Sequence, residues 1–173
     1  MSSKSYPQLK IENLINMFKK YLLPLLIFIF IALLAGFIGS FFTTSSISTW
    51  YAFINKPLFS PPNWIFAPVW SLLYVLMGIS AFLIWQKRDN LKIKPAMIFY
   101  GIQLVLNTLW SIIFFGMHNP GLALLGILIL WVFISITLIE FYRINKTAGL
   151  LFIPYLIWVS FASILNYAIW ILN

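Results

Sequence analysis

Five stretches of this chain, about residues 21–42, 64–85, 96–116, 120–141 and 148–172, contain one charged residue between them, Glu140. A hydrocarbon core about 30 Å thick takes roughly 20 apolar helical residues to cross, so each stretch is long enough to span a bilayer. Lipid offers no partners to an open backbone, which makes all five helices. A transmembrane barrel does not fit, because period-two alternation is absent and the runs are about twice the length a strand needs. Hydrophobic side chains make up 62% of the chain and charged ones 8%, with a mean hydropathy of +0.98. The expected fold is an all-α integral membrane protein, a five-transmembrane-helix bundle occupying residues 21–173.

Residues 1–20 form an N-terminal extension of a different kind. Leu9, Ile11, Leu14, Ile15, Phe18 and Leu22 recur at helical spacing among Lys10, Glu12, Asn13, Lys19 and Lys20, the pattern of an amphipathic helix lying in the interface. The first span could be misread as a secretory signal, but its apolar run is too long for one, and it is read as a retained span. Lysines and arginines total 11 against three acids, a net charge of +8. In so apolar a chain the excess points to anionic lipid headgroups and not to nucleic acid. Ten of the basic residues fall in the N-terminal segment, the second-to-third connection and the fourth-to-fifth connection, leaving only Lys56 on the other side. The positive-inside rule then places the N-terminus in the cytoplasm and the C-terminus outside, in a plasma membrane. Cysteine is absent, which removes disulfides and thiolate metal sites.

The first connection and the start of the second span read WYAFINKPLFSPPNWIFAPVW, Trp50 to Trp70, with three tryptophans and four prolines. An interfacial aromatic belt would account for part of this. The prolines fix several φ angles and remove several donors, however, making the loop stiff. A stiff loop with large aromatic faces suits a pocket lid, and both readings stay open on the residues alone.

No Asp, Glu, Lys, Arg or His lies in the middle of any span, so the group that normally couples a proton pump or ion-driven transporter is missing. Glu140 and Arg143, three apart, read as an interfacial ion pair. His118, beside Asn119 and Pro120, reads as a turn residue without a second metal ligand in reach. The spans carry amides, hydroxyls and indoles instead. Gln103, Asn107 and Trp110 share one helical face, and Trp158, Ala162, Leu165 and Asn166 form a second stripe. Interhelical hydrogen bonding explains such residues in any membrane bundle. A mostly apolar cavity for a large, flat ligand explains them as well.

Four blocks carry a resemblance: WYAFINKPLFSPPNWIFAPVWSLLYVLMG, QLVLNTLWSIIFFG, GLALLGILILW and FIPYLIWVSFASILNYAIWILN. Over about residues 30–173 the chain resembles the TspO/MBR family of translocator proteins and tryptophan-rich sensory proteins. The resemblance implies a five-helix bundle, usually a homodimer, with a pocket roofed by the first loop. Porphyrins such as protoporphyrin IX are its expected ligands, with no cofactor required. Matched residue by residue, Trp50 and Tyr51 would sit in the roof near Trp64 and Trp70. Asn107 and Trp110 would line the third helix, and Trp158, Ala162 and Leu165 the fifth. Stacking from Trp70, Trp110 and Trp158 would hold the ligand while Asn107 and Tyr51 orient its polar edge. Trp70 and Trp158 also match the tryptophans implicated in light-driven porphyrin breakdown, which makes a photo-oxidative enzyme one alternative and a facilitative transporter of porphyrin or lipid another. The chain departs from animal members at residues 165–173, where no basic residue completes the proposed cholesterol motif. Ala32, Gly36 and Ser40, spaced by four on the first span, permit close helix approach between subunits or within the bundle.

Overall fold

The computed structural model describes Gln8, Glu12 and residues 15–173. Five apolar helices long enough to span a membrane run over Ile15–Ile47, Asn63–Trp85, Ile93–Gly116, Pro120–Ile144 and Lys146–Leu172, making this a multi-pass membrane protein. Their regular parts are α1 (Leu23–Ile47), α3 (Asn63–Trp85), α4 (Ile93–Ser111), α5 (Pro120–Ile144) and α7 (Ile153–Leu172). Two short helices complete the set: α2 (Trp50–Phe53) in the first connection and α6 (Lys146–Leu150) just before α7. The interfacial helix expected over residues 1–20 falls largely outside the described residues. From Ile15 onward the chain is helical and enters α1 through a π turn, Phe18–Leu22.

Helix ends follow local chemistry. Asn119 caps α5 by accepting a hydrogen bond from the Leu122 amide at 3.0 Å, with Pro120 at the first helical position. Asn145 caps α6 through the Ala148 amide at 3.3 Å. Pro154 sits in the first turn of α7, where its missing N–H costs nothing. The first helix runs five residues past its expected end, through Thr43 to Ile47. Within that polar run the hydroxyls find partners without leaving the helix, Thr43 donating back to the Gly39 carbonyl at 3.3 Å and Ser45 to Phe42 at 3.0 Å.

Around the bundle α1 packs on α3 and α4, α4 on α5, and α5 on α7. α1 and α3 approach closely at Gly78, where an added Cβ would lie 2.5 Å from the Ile29 Cα. Gly36 abuts the ring of Tyr74, and Ala32 is buried. Both therefore serve packing within the bundle, and only Ser40 of that small-residue stripe is exposed. On the side opposite the first loop, Glu140 and Arg143 pair at 2.7 Å and Arg88 lies over the Trp85 ring at 4.6 Å.

Candidate ligand site

α2 and the Pro-rich segment after it roof the bundle. Trp50 stacks on His118 with centroids 4.6 Å apart and planes 15° from parallel. His118 adopts a positive φ of 51°, and its Nε2 lies 3.2 Å from the Ser46 hydroxyl, which donates to the Phe115 carbonyl at 2.6 Å. The Ser46 proton is committed to that carbonyl, so His118 Nε2 carries the hydrogen and donates. Farther along, Asn55 and Asn173 clamp the loop to the end of α7. The Asn55 amide donates to Asn173 Oδ1 at 2.9 Å, and Asn173 Nδ2 returns a bond to the Asn55 carbonyl at 3.0 Å. Lys56 donates to the Tyr51 carbonyl at 2.8 Å and covers the Tyr51 ring at 4.7 Å. Burial raises the Tyr51 pKa, partly offset by the Ser60 hydroxyl, so this hydroxyl stays neutral at ordinary pH.

Beneath the roof lies a cavity between α3, α4 and α7. Tyr51 closes its top, Trp70 and Trp110 form two walls, and Trp158, Ala162 and Leu165 form the third. Six of the nine residues assigned to the site from sequence therefore meet in one place. Three do not. Trp50 stands behind Tyr51, its ring 6.5 Å away, and braces the roof against His118. Trp64 lies apart from the cavity, 72% exposed on the outer surface of α3. Asn107 is corrected in role, for it is 1% exposed and fully engaged. Its Oδ1 accepts a short hydrogen bond from Tyr74, and its Nδ2 donates to the Tyr155 hydroxyl at 3.0 Å. It ties α3, α4 and α7 together behind Trp70 and does not line the cavity.

Phe66, Phe114, Phe115, Asn166 and Ile169 also line the cavity without having been assigned to it. Spacing could have found four of them, since Phe66, Phe114, Asn166 and Ile169 lie four residues from Trp70, Trp110, Ala162 and Leu165, and Asn166 already stood in the sequence stripe with Trp158.

The indoles differ in what their N–H groups do. Trp110 donates to Asn166 Oδ1 at 3.0 Å, and Asn166 Nδ2 donates to the Pro120 carbonyl at 2.7 Å. Trp131 donates across to Ser160 at 2.8 Å. The Trp158 N–H is buried with no partner among the described residues. Buried donors are nearly always paired, so an unpaired one on a cavity wall is a position awaiting an acceptor.

As it stands the cavity is nearly shut, with a volume of about 20 Å³. That is space for roughly one water. Trp70 stands on its wall with its ring 5.7 Å from Tyr74 and 6.4 Å from Trp110. On the far side of Trp70 and Phe66, between α1, α3 and α4, a crevice of about 470 Å³ is open. The two spaces share Phe66, Trp70, Trp110 and Phe115, so movement of the first two rings would merge them.

These observations define a multi-pass membrane bundle built around an uncharged aromatic cavity under a loop roof. The chain belongs to the TspO/MBR family, whose model matches residues 28–171. The tryptophan-rich protein TspO of Archaeoglobus fulgidus is 45% identical over 154 residues, covering 88% of this chain and 98% of that protein. Its namesake in Chlorobaculum tepidum is 42% identical over 158 residues, covering 89% and 98%. The translocator protein of Bos taurus is 36% identical over 140 residues, covering 79% and 82%.

Proposed function

We propose that this chain is a membrane receptor or sensor for porphyrins and similar flat, hydrophobic tetrapyrroles, bound in the cavity between α3, α4 and α7 as part of tetrapyrrole sensing, transport or disposal. One observation carries the reading: a cavity walled by three indoles and aliphatic side chains in which the Asn166 amide is already engaged and the buried Trp158 N–H has no partner among the described residues. A large ring gains stacking from Trp70, Trp110 and Trp158, and an acceptor on its edge takes the free donor. The names tryptophan-rich sensory protein, of the Cereibacter sphaeroides relative, and translocator protein agree with such a role. The proposal extends to a homodimer in the plasma membrane; a cytoplasmic N-terminus is supported by the ten basic residues that fall in the N-terminal segment and the second and fourth connections of the sequence.

Light-driven porphyrin oxidation is the second reading, favoured by Trp70 and Trp158 facing one cavity. Transport has no comparable observation behind it, and the uncharged spans, which offer no coupling group, would leave only facilitative diffusion.

The test titrates purified protein with protoporphyrin IX in the dark, following tryptophan quenching, for wild type, Trp158→Phe and Trp64→Phe. Saturable quenching is expected, with affinity lowered roughly threefold to tenfold by Trp158→Phe, the worth of one hydrogen bond. Trp64→Phe should bind as wild type does. Quenching that does not saturate, or is indifferent to Trp158, would remove the porphyrin reading. Illumination of the bound sample then separates turnover from binding: loss of porphyrin absorbance that stops in Trp70→Phe would favour the enzyme.

A further inference from the structure

We infer that the crevice between α1, α3 and α4 is a second binding site, distinct from the aromatic cavity, which takes one acyl chain and the adjoining ester of a bilayer glycerophospholipid.

Its polarity is graded along the membrane normal. Thr44 near the end of α1 and Asn63 at the start of α3 stand at its loop end. Ser71 and Ser111 lie further in, and Leu33 and Phe37 line the deep end toward the middle of the spans. Thr44, Asn63, Ser71 and Ser111 make no side-chain hydrogen bond among the described residues, so their donors are free. In contact with hydrocarbon alone such donors would go unsatisfied at a cost. Esters are acceptors without donors, which is what this set lacks. No charged side chain lines the crevice, so nothing there selects a free carboxylate or an anionic headgroup over a neutral ester.

The helices are shaped for an occupant as well. Ala67 keeps the α3 wall low, Gly36 lets the Tyr74 ring seat against α1 at the floor, and the crevice volume of about 470 Å³ lies within the usual range for a bound small molecule. Phe37 is exposed beside it on α1, so the entrance faces the lipid. A phospholipid in the leaflet on the loop side presents the same sequence of chemistry in the same order, polar ester first and methylenes deeper. A chain seated there would rest against Phe66 and Trp70 and hold that partition closed.

The test uses nanodiscs of phosphatidylcholine containing a small fraction of the same lipid with a diazirine in its acyl chain. After irradiation, adducts are mapped by mass spectrometry. Labelling of the 33–44 and 67–74 segments should exceed that of Leu125, Leu128 and Val132 on the exposed face of α5 several-fold. It should be competed by unlabelled lipid. Ser71→Phe fills the crevice and should bring labelling down to the α5 level. The paired variant Thr44→Val with Asn63→Leu keeps the shape but removes donors, and should lower labelling if Ser71→Phe does not fold. Even labelling of both faces, or enrichment untouched by either variant, would overturn the inference. So would protection of the crevice by a second copy of the chain. No porphyrin enters the experiment, so its outcome is independent of the function proposed for the aromatic cavity.

Discussion

Sequence and structure give Asn107 different jobs, and Asn107→Leu separates them. Leucine nearly conserves volume, so little cavity is created and the main loss is the pair of hydrogen bonds to Tyr74 and Tyr155. In a soluble protein, two buried hydroxyls stripped of their partner would cost about 1–3 kcal/mol each. Membrane helices lose less, because in the bilayer even separated helices find partners. Measured values average about 0.6 and reach about 1.7 kcal/mol per bond. All three residues lie within spans, so the membrane figure governs and the expected loss is about 1–3 kcal/mol in total. Thermal unfolding in one fixed detergent reads this directly. The triple variant Tyr74→Phe/Asn107→Leu/Tyr155→Phe should recover most of the loss, since it removes every polar partner together. Protoporphyrin IX affinity of Asn107→Leu should stay within about threefold of wild type, under 1 kcal/mol. A variant as stable as wild type that no longer binds would refute the strut reading and return Asn107 to the cavity wall.

Three further substitutions test other parts of the structure. Trp158→Phe should leave the thermal midpoint of the ligand-free protein unchanged or raised, because it deletes an unpaired buried donor, whereas Trp110→Phe should lower stability by about 1 kcal/mol by orphaning Asn166 Oδ1; paired melts without ligand decide it. Gly78→Val should part α1 from α3 and cost at least about 1–3 kcal/mol, read as a lowered unfolding midpoint, since its Cβ meets the Ile29 backbone. Asn173→Ala should free the loop from α7 with under about 1 kcal/mol of stability lost, because the clamp is exposed, while stopped-flow release of bound porphyrin speeds up several-fold.

The spans were legible because hydropathy over about twenty residues is a strong signal. Their ends were less so. Thr43 to Ser46 look like loop, yet α1 runs on through them, with the Thr43 and Ser45 hydroxyls turned back onto the helix and Ser46 donating across the bundle to the Phe115 carbonyl. Within the site, Trp70 and Trp64 show what spacing could have settled. Six residues turn a helix through about 240°, so the two indoles cannot share a face. Trp64 and Trp70 therefore point to different sides of α3, in keeping with the exposure of the first and the cavity position of the second. Asn107 is a different case. Its partners come from α3 and α7, 33 and 48 residues away, and no local pattern tells an engaged amide from a free one. The Trp158 donor was hidden for the same reason, since its meaning depends on the neighbours it lacks.

If Trp70 or Phe66 must swing aside to admit a ligand into a cavity this small, the site selects ligands by size before it selects them by shape. The closed form holds about 20 Å³, and any ligand's apparent affinity falls by the fraction of time the rings stand open. Each indole returns about 0.5–1.5 kcal/mol of stacking to a ring that reaches it. A tetrapyrrole can meet several and offset the opening cost, while a single small ring meets one and does not. The lone Trp158 donor adds about 1 kcal/mol, enough for only several-fold discrimination among ligands of equal area. Selectivity within the class of large flat ligands should therefore be weak and selectivity against small ones strong. Trp70→Ala turns this into opposite signs. It abolishes the opening step and so raises the affinity of one-ring aromatic probes, while it removes a stacking partner and lowers that of protoporphyrin IX. If competition titrations show both affinities moving the same way, Trp70 is a wall and not a gate.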